Sequence, residues 1–486
     1  MNINQRFLVV MLLGCGIILS SCTPRSQELI QERQQSDRQS ELSSTETGEQ
    51  SLTIWWEQGY TPGENEVVRT LVKEWEKQSG IKTKLELRPG SIDAQVINAI
   101  ERGNSPDIAG PIFLTLVDLA WEGKLTDVSD VIAPMQDKFN LGTLKTANLI
   151  DRTKNSRSFY GIPMGIFTYN IHYWQPYLDR LGLQQSNIPQ EWDEFWLFWE
   201  EVRDRLHEAG ETNITSFCLP LSGDSSDGYD MFLLFLQGHN TKILDKNDRF
   251  VLDRPQNRQG LINTLSQLSR LYQEGLTPPD VFSWQNPDNN TQFLNRTCLL
   301  TINATLSIPT TQKLPITPYT QKENQRYTQE IVTLSRWPET ANGTAFNTSI
   351  GSYVIVIPSN ARNTKAAKEF LAYLFEPENL QQWTEEVGGR FLPVMPELLQ
   401  TPFWQDVQDP HLSAIQILSE TNTQPYLPFT HPAIGKIREG QIFVEALKAT
   451  INGDRSVEEI ADEAIARVQD IVAPYVELNP VTAEEN

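Results

Sequence analysis

Residues 52–87 have the pattern of a strand, a loop, a helix and a second strand: LTIWWEQGYTPGENEVVRTLVKEWEKQSGIKTKLEL. Residues 52–56 are β-branched and aromatic, which predicts a strand, and the Gly and Pro residues of 57–63 predict a loop. Apolar residues at helical spacing then predict a helix, which we begin at Asn65 and end at Gly80. Alternation at 81–87 predicts a second strand. Such a unit gives two parallel strands joined by a right-handed crossover.

The loop after the first strand is the first candidate for a binding site. Ligands of open α/β sheets bind beyond the carboxyl ends of the strands. We therefore expect Trp55, Trp56, Glu57, Gln58 and Tyr60 at the mouth of a site. Neighbouring strand residues face opposite ways, so one of the two tryptophans belongs to the core.

Length and composition predict a folded protein of more than one domain. The chain has 486 residues, of which 39% are hydrophobic and 21% charged, enough for two to three globular domains. Strand and helix patterns alternate up to about residue 132, which predicts one lobe of a doubly wound sheet. The aromatic stripe of a predicted helix at 192–208 indicates core. A net charge of −22 argues against nucleic acid or an anionic membrane surface as a partner.

The N-terminus has the pattern of an export signal. Arg6 precedes an apolar run that is too short for a membrane span, so residues 1–21 are predicted to be a signal peptide. The sequence Leu19-Ser20-Ser21-Cys22 resembles the bacterial lipobox, which implies lipid attachment at Cys22; the alternative is an ordinary signal in which this Cys is incidental. Residues 22–50 are polar and cannot bury a core, which predicts a flexible tether.

Two further cysteines, Cys218 and Cys298, follow in strand-like apolar runs. Export permits a disulfide. Buried cysteines more often behave as small hydrophobes, so we expect two thiols and leave the pairing open.

Several motifs, in order, resemble the extracellular solute-binding proteins of sugar-type ABC importers, the class of maltose-binding protein. They span nearly all of residues 52–472: YGIP at 160–163 with YN at 169–170, IPQEWDEF at 188–195, GSYVIVIP at 351–358, AAKEFL at 366–371, PE at 377–378 with Trp383 and Gly388, and INGDRSVEE at 451–459.

This resemblance implies an α/β fold, a two-lobed periplasmic-binding-protein-like clamp in which each lobe is a doubly wound sheet of discontinuous segments. We place the N-terminal lobe at 51–160 plus about 351–400. The C-terminal lobe is placed at 161–350 plus about 401–475, with a tail at 476–486. The lobes would close on ligand by a hinge motion.

The function implied is capture of a carbohydrate, an oligosaccharide, and its delivery to the membrane permease subunits of an ABC importer. We expect a monomeric lipoprotein that is not an enzyme, binds no cofactor, metal or nucleic acid, and is exported and lipid-anchored to a bacterial membrane through Cys22.

Sugars present apolar faces and rings of hydroxyls, which aromatic and polar side chains match. The residues implied by family position to bind substrate are Trp55, Trp56, Glu57, Gln58, Tyr169, Asp227, Tyr229, Asp230, Asn303, Gly351, Tyr353 and Arg390. Asp230 is equally suited to cap a helix, and Arg390 to form an ion pair across the lobes. The aromatic residue that the family often has after Asn303 is replaced by Ala304-Thr305-Leu306, and Trp284 is a candidate substitute.

Other functions remain open at this point. A polyamine would need several carboxylates with aromatic residues, and a glycerol-phosphate-type solute would need more cations than Arg390. Glu57 and Asp227 facing each other would suit a glycosidase, although the sequence has no HExxH, CxxC, P-loop or GxSxG motif. A sensing role in place of import is also compatible.

Overall fold

The strand–helix–strand unit begins the structure as predicted. Strand β1 (Ser51–Glu57) and strand β2 (Lys82–Arg88) are parallel, joined by helix α1 (Pro62–Ser79). The helix ends at Gly80 in the left-handed conformation, φ 74°, which glycine adopts at no steric cost. The predicted start at Asn65 is wrong, because Thr61 accepts the Glu64 backbone N–H and a proline occupies the first helical turn. Asn65 instead accepts the backbone N–H of Gly59 at 3.0 Å.

The computed structural model describes residues 51–245, 247–314, 317, 319–420, 423–425 and 431–478. The predicted signal peptide, the lipid site at Cys22 and the tether lie outside these residues. The predicted tail begins inside a 3₁₀ segment, Ala473–Leu478, and its remainder also lies outside them.

Strands and helices alternate as far as residue 112, and runs of helices and of strands follow. After β2 the strands are β3 (Ile108–Ile112), β4 (Asn148–Asp151), β5 (Ser156–Phe159), β6 (Ile162–Thr168), β7 (Asn170–Trp174), β8 (Thr215–Cys218), β9 (Cys298–Asn303), β10 (Ile331–Thr333), β11 (Thr348–Val356), β12 (Leu392–Pro393) and β13 (Thr423–Pro425). After α1 the α-helices are α2 (Asp93–Glu101), α3 (Leu116–Trp121), α4 (Ser129–Ile132), α5 (Leu141–Lys145), α6 (Gln175–Arg180), α7 (Trp192–Glu208), α8 (Ser226–Gly238), α9 (Pro255–Gln273), α10 (Asp288–Leu294), α11 (Ser307–Thr310), α12 (Gln321–Gln325), α13 (Thr364–Leu374), α14 (Pro377–Glu386), α15 (Leu412–Glu420), α16 (Ala433–Glu439), α17 (Ile442–Asn452) and α18 (Val457–Val472).

A seven-stranded sheet, called the large sheet below, is the centre of the first lobe. Its order is β12-β6-β11-β3-β1-β2, with β13 paired to β11. Strands β1, β2 and β3 are parallel, whereas β11 runs antiparallel to both β3 and β6. The carboxyl ends of β1, β2 and β3 therefore meet at one edge, where a ligand site is expected.

A four-stranded sheet, called the small sheet, is the centre of the second lobe. Its order is β10-β7-β9-β8, in which β8 and β9 are parallel. The predicted aromatic stripe of α7 is core: Trp192, Trp196 and Trp199 are all fully buried. Helices α9, α17 and α18 pack together in the same lobe.

The chain passes between the two sheets at Tyr169, which separates β6 from β7. The predicted lobe boundary at residue 160 is therefore too early, because β6 pairs with β11 across Ile162–Thr168 inside the large sheet. Helix α15 likewise packs against β6 and β11 of the large sheet, although we predicted residues 401–475 to belong to the other lobe. The remaining lobe assignments stay predictions.

Cys218 and Cys298 form a disulfide, with their Cα atoms 5.6 Å apart. They lie on the neighbouring strands β8 and β9, although 80 residues separate them in the sequence. The expectation of two free thiols is therefore wrong. No described helix is both long enough and apolar enough to cross a bilayer.

Candidate functional site

A cavity of about 600 Å³ opens between loops of the two lobes, within the size range of small-molecule sites. From the large-sheet side it is lined by Glu57, Gln58, Gly59, Tyr60, Pro89, Gly90, Ser91, Phe113, Leu114, Phe167, Tyr353 and Arg390. From the small-sheet side it is lined by Asp224, Ser226, Asp227, Asp230, Gln285, Asn286, Pro287, Asn303, Ala304, Thr305 and Ser307. Most of the first group follows the carboxyl ends of β1, β2 and β3, the edge at which the sheet topology places a ligand.

Arg390 is fixed at the floor of this cavity. Its guanidinium lies 2.7 Å from the Glu64 carboxylate, and both side chains are buried. The same guanidinium lies 4.3 Å from the ring centre of Tyr60 and 4.5 Å from that of Phe391. Burial opposes the charge, but the carboxylate of Glu64 raises the pKa of Arg390 above its ordinary value. The cation is therefore held in one place by a charge-assisted bond and two aromatic faces.

Glu57 stands at the end of β1, half-buried beside this cation. Burial raises the pKa of Glu57 to about 8, Arg390 opposes the rise, and Asp93 and Glu64 add to it. A carboxyl group with this pKa carries its proton at neutral pH and donates a hydrogen bond.

Asp227 faces the cavity from the first turn of α8 and is also half-buried. Burial raises the pKa of Asp227 to about 8, and the nearby Asp230 contributes in the same direction. The cavity thus contains two carboxyl groups that are largely neutral at pH 7.

Asn286 holds the start of α8 in position. Its side-chain oxygen accepts the hydroxyl of Ser225 at 2.6 Å and the backbone N–H of Asp227 at 3.4 Å. Its amide nitrogen donates to the hydroxyl of Ser226 at 2.7 Å. The position of the Asp227 backbone therefore depends on an amide 59 residues further along the chain.

Asn303 shapes the opposite rim at the end of β9. Its amide nitrogen donates to the Thr305 carbonyl at 2.9 Å and to the Ser307 hydroxyl at 2.8 Å. Asn290 donates to the same hydroxyl at 3.0 Å. These bonds fix the turn from β9 into α11, so that Ala304 and Thr305 face the cavity.

Three aromatic rings form one wall. The ring centres of Phe113 and Tyr353 are 5.0 Å apart, those of Phe167 and Tyr353 are 5.4 Å apart, and those of Phe113 and Phe167 are 5.8 Å apart. A Cβ at Gly351 would lie 2.2 Å from the Phe167 ring, so this glycine lets the ring pack against β11. Such a wall suits the apolar face of a ligand.

The cavity brings together seven of the residues predicted to bind substrate: Glu57, Gln58, Asp227, Asp230, Asn303, Tyr353 and Arg390. Arg390 lines the cavity, whereas the predicted ion pair across the lobes is wrong, because its partner Glu64 lies on α1 in the same lobe.

The other five predicted residues lie behind or beside the cavity. Trp55 is stacked under the guanidinium of Arg88, 3.4 Å from its ring centre, and Trp56 is the buried member of the pair. Tyr169 is buried with its ring centre 6.0 Å from that of Phe167. Tyr229 packs against Phe443, and Gly351 acts through Phe167. Trp284, the suggested substitute for the missing aromatic, is buried outside the cavity lining.

Some lining residues escaped the sequence analysis. Phe113, which follows β3, and Phe167, which lies in β6, were not predicted to line the site, and Asn286 lies in a loop without a motif. One signal was available for Phe113, because it directly follows β3 at the sheet edge already expected to bind ligand. No group of three or more His, Cys, Asp and Glu side chains is placed to hold a metal ion among the described residues.

Comparison with known proteins identifies the class. Residues 70–414 match the family of bacterial extracellular solute-binding proteins, and the chain belongs to this family. The arabinooligosaccharide-binding protein of Bacillus subtilis is 23% identical over 354 residues, which cover 71% of this chain and 74% of that protein.

Solved structures share the fold. An ABC transporter solute-binding protein of Thermotoga lettingae, bound with α-D-tagatose, has a TM-score of 0.69 and 18% identity, covering 87% of this chain and 100% of that one. A maltose-bound protein of T. maritima has a TM-score of 0.69 and 15% identity, covering 86% of this chain and 100% of that one. The predicted two-lobed binding-protein fold is therefore confirmed.

Proposed function

We propose that the chain binds a carbohydrate, most simply an oligosaccharide, in the cavity between its lobes and delivers it to an ABC importer. One observation carries the proposal: an aromatic wall of Phe113, Phe167 and Tyr353 faces a rim of carboxyl and amide groups across one cavity. The arabino-oligosaccharide, tagatose and maltose named for the similar proteins support this class of ligand.

Each side of the cavity has its own part in this proposal. The aromatic rings cover the C–H faces of a sugar, and Glu57, Asp227 and Arg390 bond to its hydroxyls. A sugar that touches both lobes favours the arrangement in which they are closest, so binding shifts the population toward a closed form. The permease of the importer would recognise that form.

The N-terminal predictions belong to the same proposal. Residues 1–21 would direct export, Cys22 would carry lipid, and residues 22–50 would tether the binding protein to a bacterial membrane. The protein would act as a monomer and would release its ligand unchanged, since binding rather than catalysis is its role.

The proposal is tested by thermal shift on the full-length protein in detergent, with a panel of neutral mono- and oligosaccharides, putrescine and glycerol phosphate. A ligand at about a hundredfold excess over its Kd stabilises the folded state by roughly 2.7 kcal/mol. We expect one class of sugar to raise the melting temperature, and Asp227→Asn to reduce that rise. Asp253→Asn is the matched control, because Asp253 is exposed and does not line the cavity.

Three results would contradict the proposal. A shift with putrescine alone would make the protein a polyamine-binding protein, and a shift with glycerol phosphate alone would indicate a phosphate-bearing solute. Hydrolysis of any oligosaccharide in the panel, detected by chromatography of its products, would indicate a glycosidase in which Glu57 and Asp227 are the catalytic pair.

A further inference from the structure

The charges that line the cavity are unbalanced. Four acids face it, namely Glu57, Asp224, Asp227 and Asp230, and among the described lining residues Arg390 is the only cation. An acidic lining alone does not define a ligand, because an exposed carboxylate is stabilised by water. The imbalance of charge matters here because Glu57 and Asp227 are already partly buried. A ligand that fills the cavity displaces more of the water around them.

The single cation is already neutralised. The Arg390 guanidinium lies 2.7 Å from Glu64, a buried carboxylate outside the lining of the cavity. The faces of Tyr60 and Phe391 cover the same guanidinium. Arg390 therefore offsets the charge of the acids that face the ligand only in part, and Glu57 keeps a raised pKa beside it.

Glu57 and Asp227 form no ion pair with a cation of the described chain. Burial raises the pKa of Glu57 to about 8 although Arg390 lowers it, and Asp93 and Glu64 add to the rise. Asp227 has Asp230 as its charged neighbour, and burial with that neighbour also raises its pKa to about 8. Each is a carboxyl group that a positive charge supplied from outside would ionise.

We propose that the ligand is a sugar that carries a protonated amine, so that the cavity selects an amino sugar over its uncharged counterpart through Glu57 and Asp227. This rests on the proposed carbohydrate-binding function. A bare metal ion fits poorly, because no described cluster is arranged to ligate one. A simple polyamine carries no hydroxyl group with which the side-chain amide of Gln58, which lines the cavity, could form a hydrogen bond.

Calorimetric titration of the full-length protein in detergent tests this inference with matched pairs of sugars. The pairs are glucose and glucosamine, galactose and galactosamine, and cellobiose and the glucosamine disaccharide of the same linkage, with putrescine as a separate probe. At about pH 6 both the amine and the two carboxyl groups are protonated. Two buffers of different ionisation enthalpy then report any proton released on binding.

We expect at least one amino sugar to bind about tenfold more tightly than its neutral partner, as one added charge-assisted hydrogen bond allows. Its binding should release about one proton, because the ammonium ionises a carboxyl group that was neutral in the empty cavity. Asp227→Asn and Glu57→Gln should each reduce both the preference and the proton release. Asp253→Asn should retain both.

The outcomes separate this inference from the proposed function. Neutral sugars that bind as tightly as every amino counterpart overturn the inference and leave the proposed function standing. A preference without proton release, or one that both Asp227→Asn and Glu57→Gln retain, also overturns the inference, because the selectivity then arises elsewhere. Binding of putrescine alone, or of no sugar in the panel, overturns the proposed function and the inference with it.

Discussion

Arg390 and Glu64 are 326 residues apart in sequence, yet their side chains form a buried ion pair of 2.7 Å at the floor of the cavity. Glu64 is presented by the first turn of α1, and Arg390 by the loop between α14 and β12. The pair therefore joins two distant segments of the large-sheet lobe at the point where ligand is expected to bind.

Breaking this pair should be costly for stability. We predict that Glu64→Gln lowers the free energy of unfolding by about 3–5 kcal/mol, because it leaves the charge of Arg390 buried without a partner. Urea denaturation measures the change. The matched control is Glu66→Gln on the same helix, whose partner Arg69 is exposed; it should change the stability by less than about 1 kcal/mol. Equal effects of the two variants would show that the buried pair has no special role.

The disulfide should also contribute to stability. Cys218 and Cys298 close a loop across 80 residues, and chain-entropy arguments give a stabilisation of roughly 4 kcal/mol for a loop of this length. We predict that a thiol reductant lowers the urea midpoint of the protein. The double variant Cys218→Ala, Cys298→Ala should start at the lower midpoint and be insensitive to reductant. Labelling of Cys218 and Cys298 by a thiol reagent in the oxidised, unfolded protein, located by peptide mass spectrometry, would contradict the pairing.

Local pattern predicted the elements that position the site. The alternation and helical spacing of residues 52–87 indicated β1, α1 and β2, since one face of each element must be buried. The helix start was missed because Asn65 and Thr61 are both good capping residues. Thr61 is the cap because Pro62, whose fixed φ suits the first turn, follows it. The side chain of Asn65 instead accepts the backbone N–H of Gly59.

Contacts between distant segments could not be predicted. The pairing of β8 with β9 brings Cys218 to Cys298, and the packing of α14 against α1 brings Arg390 to Glu64. Alternation showed that Trp55 and Trp56 face opposite ways, but it did not show that Arg88 covers the outward ring. The family motifs were sufficient for the fold because many weak matches occurred in one order, whereas each site residue depended on a single position.

Tyr60, in the loop after β1, and Trp55, on β1 itself, should differ in their effect on binding. Tyr60 lines the cavity with 42% of its surface exposed, and its ring covers Arg390 at 4.3 Å. We predict that Tyr60→Ala weakens binding of the preferred sugar about tenfold, roughly 1.4 kcal/mol. Trp55→Ala is the control, because Trp55 contacts Arg88 outside the cavity lining. Calorimetric Kd values for both variants measure the difference.

A larger loss of affinity in Trp55→Ala than in Tyr60→Ala would show that the bound form rearranges the loop. In that case Trp55 would separate from Arg88 when ligand binds, which would support the prediction from the sequence that Trp55 binds substrate.

A chain of buried histidines links the two lobes and should make stability depend on pH. The Thr333 hydroxyl lies 3.0 Å from Nδ1 of His172 and 2.7 Å from Nδ1 of His411. Nε2 of His411 donates to the Tyr327 carbonyl at 2.8 Å. His411 then accepts the Thr333 proton at Nδ1, which requires the His411 ring to be neutral, while His172 donates to the same hydroxyl oxygen.

The structure therefore penalises protonation of either ring. Burial lowers the pKa of His172 to about 3, with His411 contributing, and burial lowers the pKa of His411 to about 4. The unfolded chain binds these protons near pH 6.5, whereas the folded chain does so only at much lower pH. Stability contributed by the neutral rings is thus complete above about pH 6.5 and is lost as pH falls toward about 4.

We predict that the free energy of unfolding of the His411→Gln variant falls less steeply than that of the unmodified protein over this interval. The difference in slope should be about 1.4 kcal/mol per pH unit, the effect of one proton. Urea denaturation at several pH values between about 7 and 4 measures both slopes. Glu57 and Asp227 change the stability with pH in the opposite direction, but the variant retains both residues, so their contributions cancel in the difference between the slopes. Parallel slopes would mean that His411 is protonated in the folded protein near its ordinary pKa. The hydrogen bond to Thr333 would then reorganise at little cost, and the buried histidines would not make stability depend on pH.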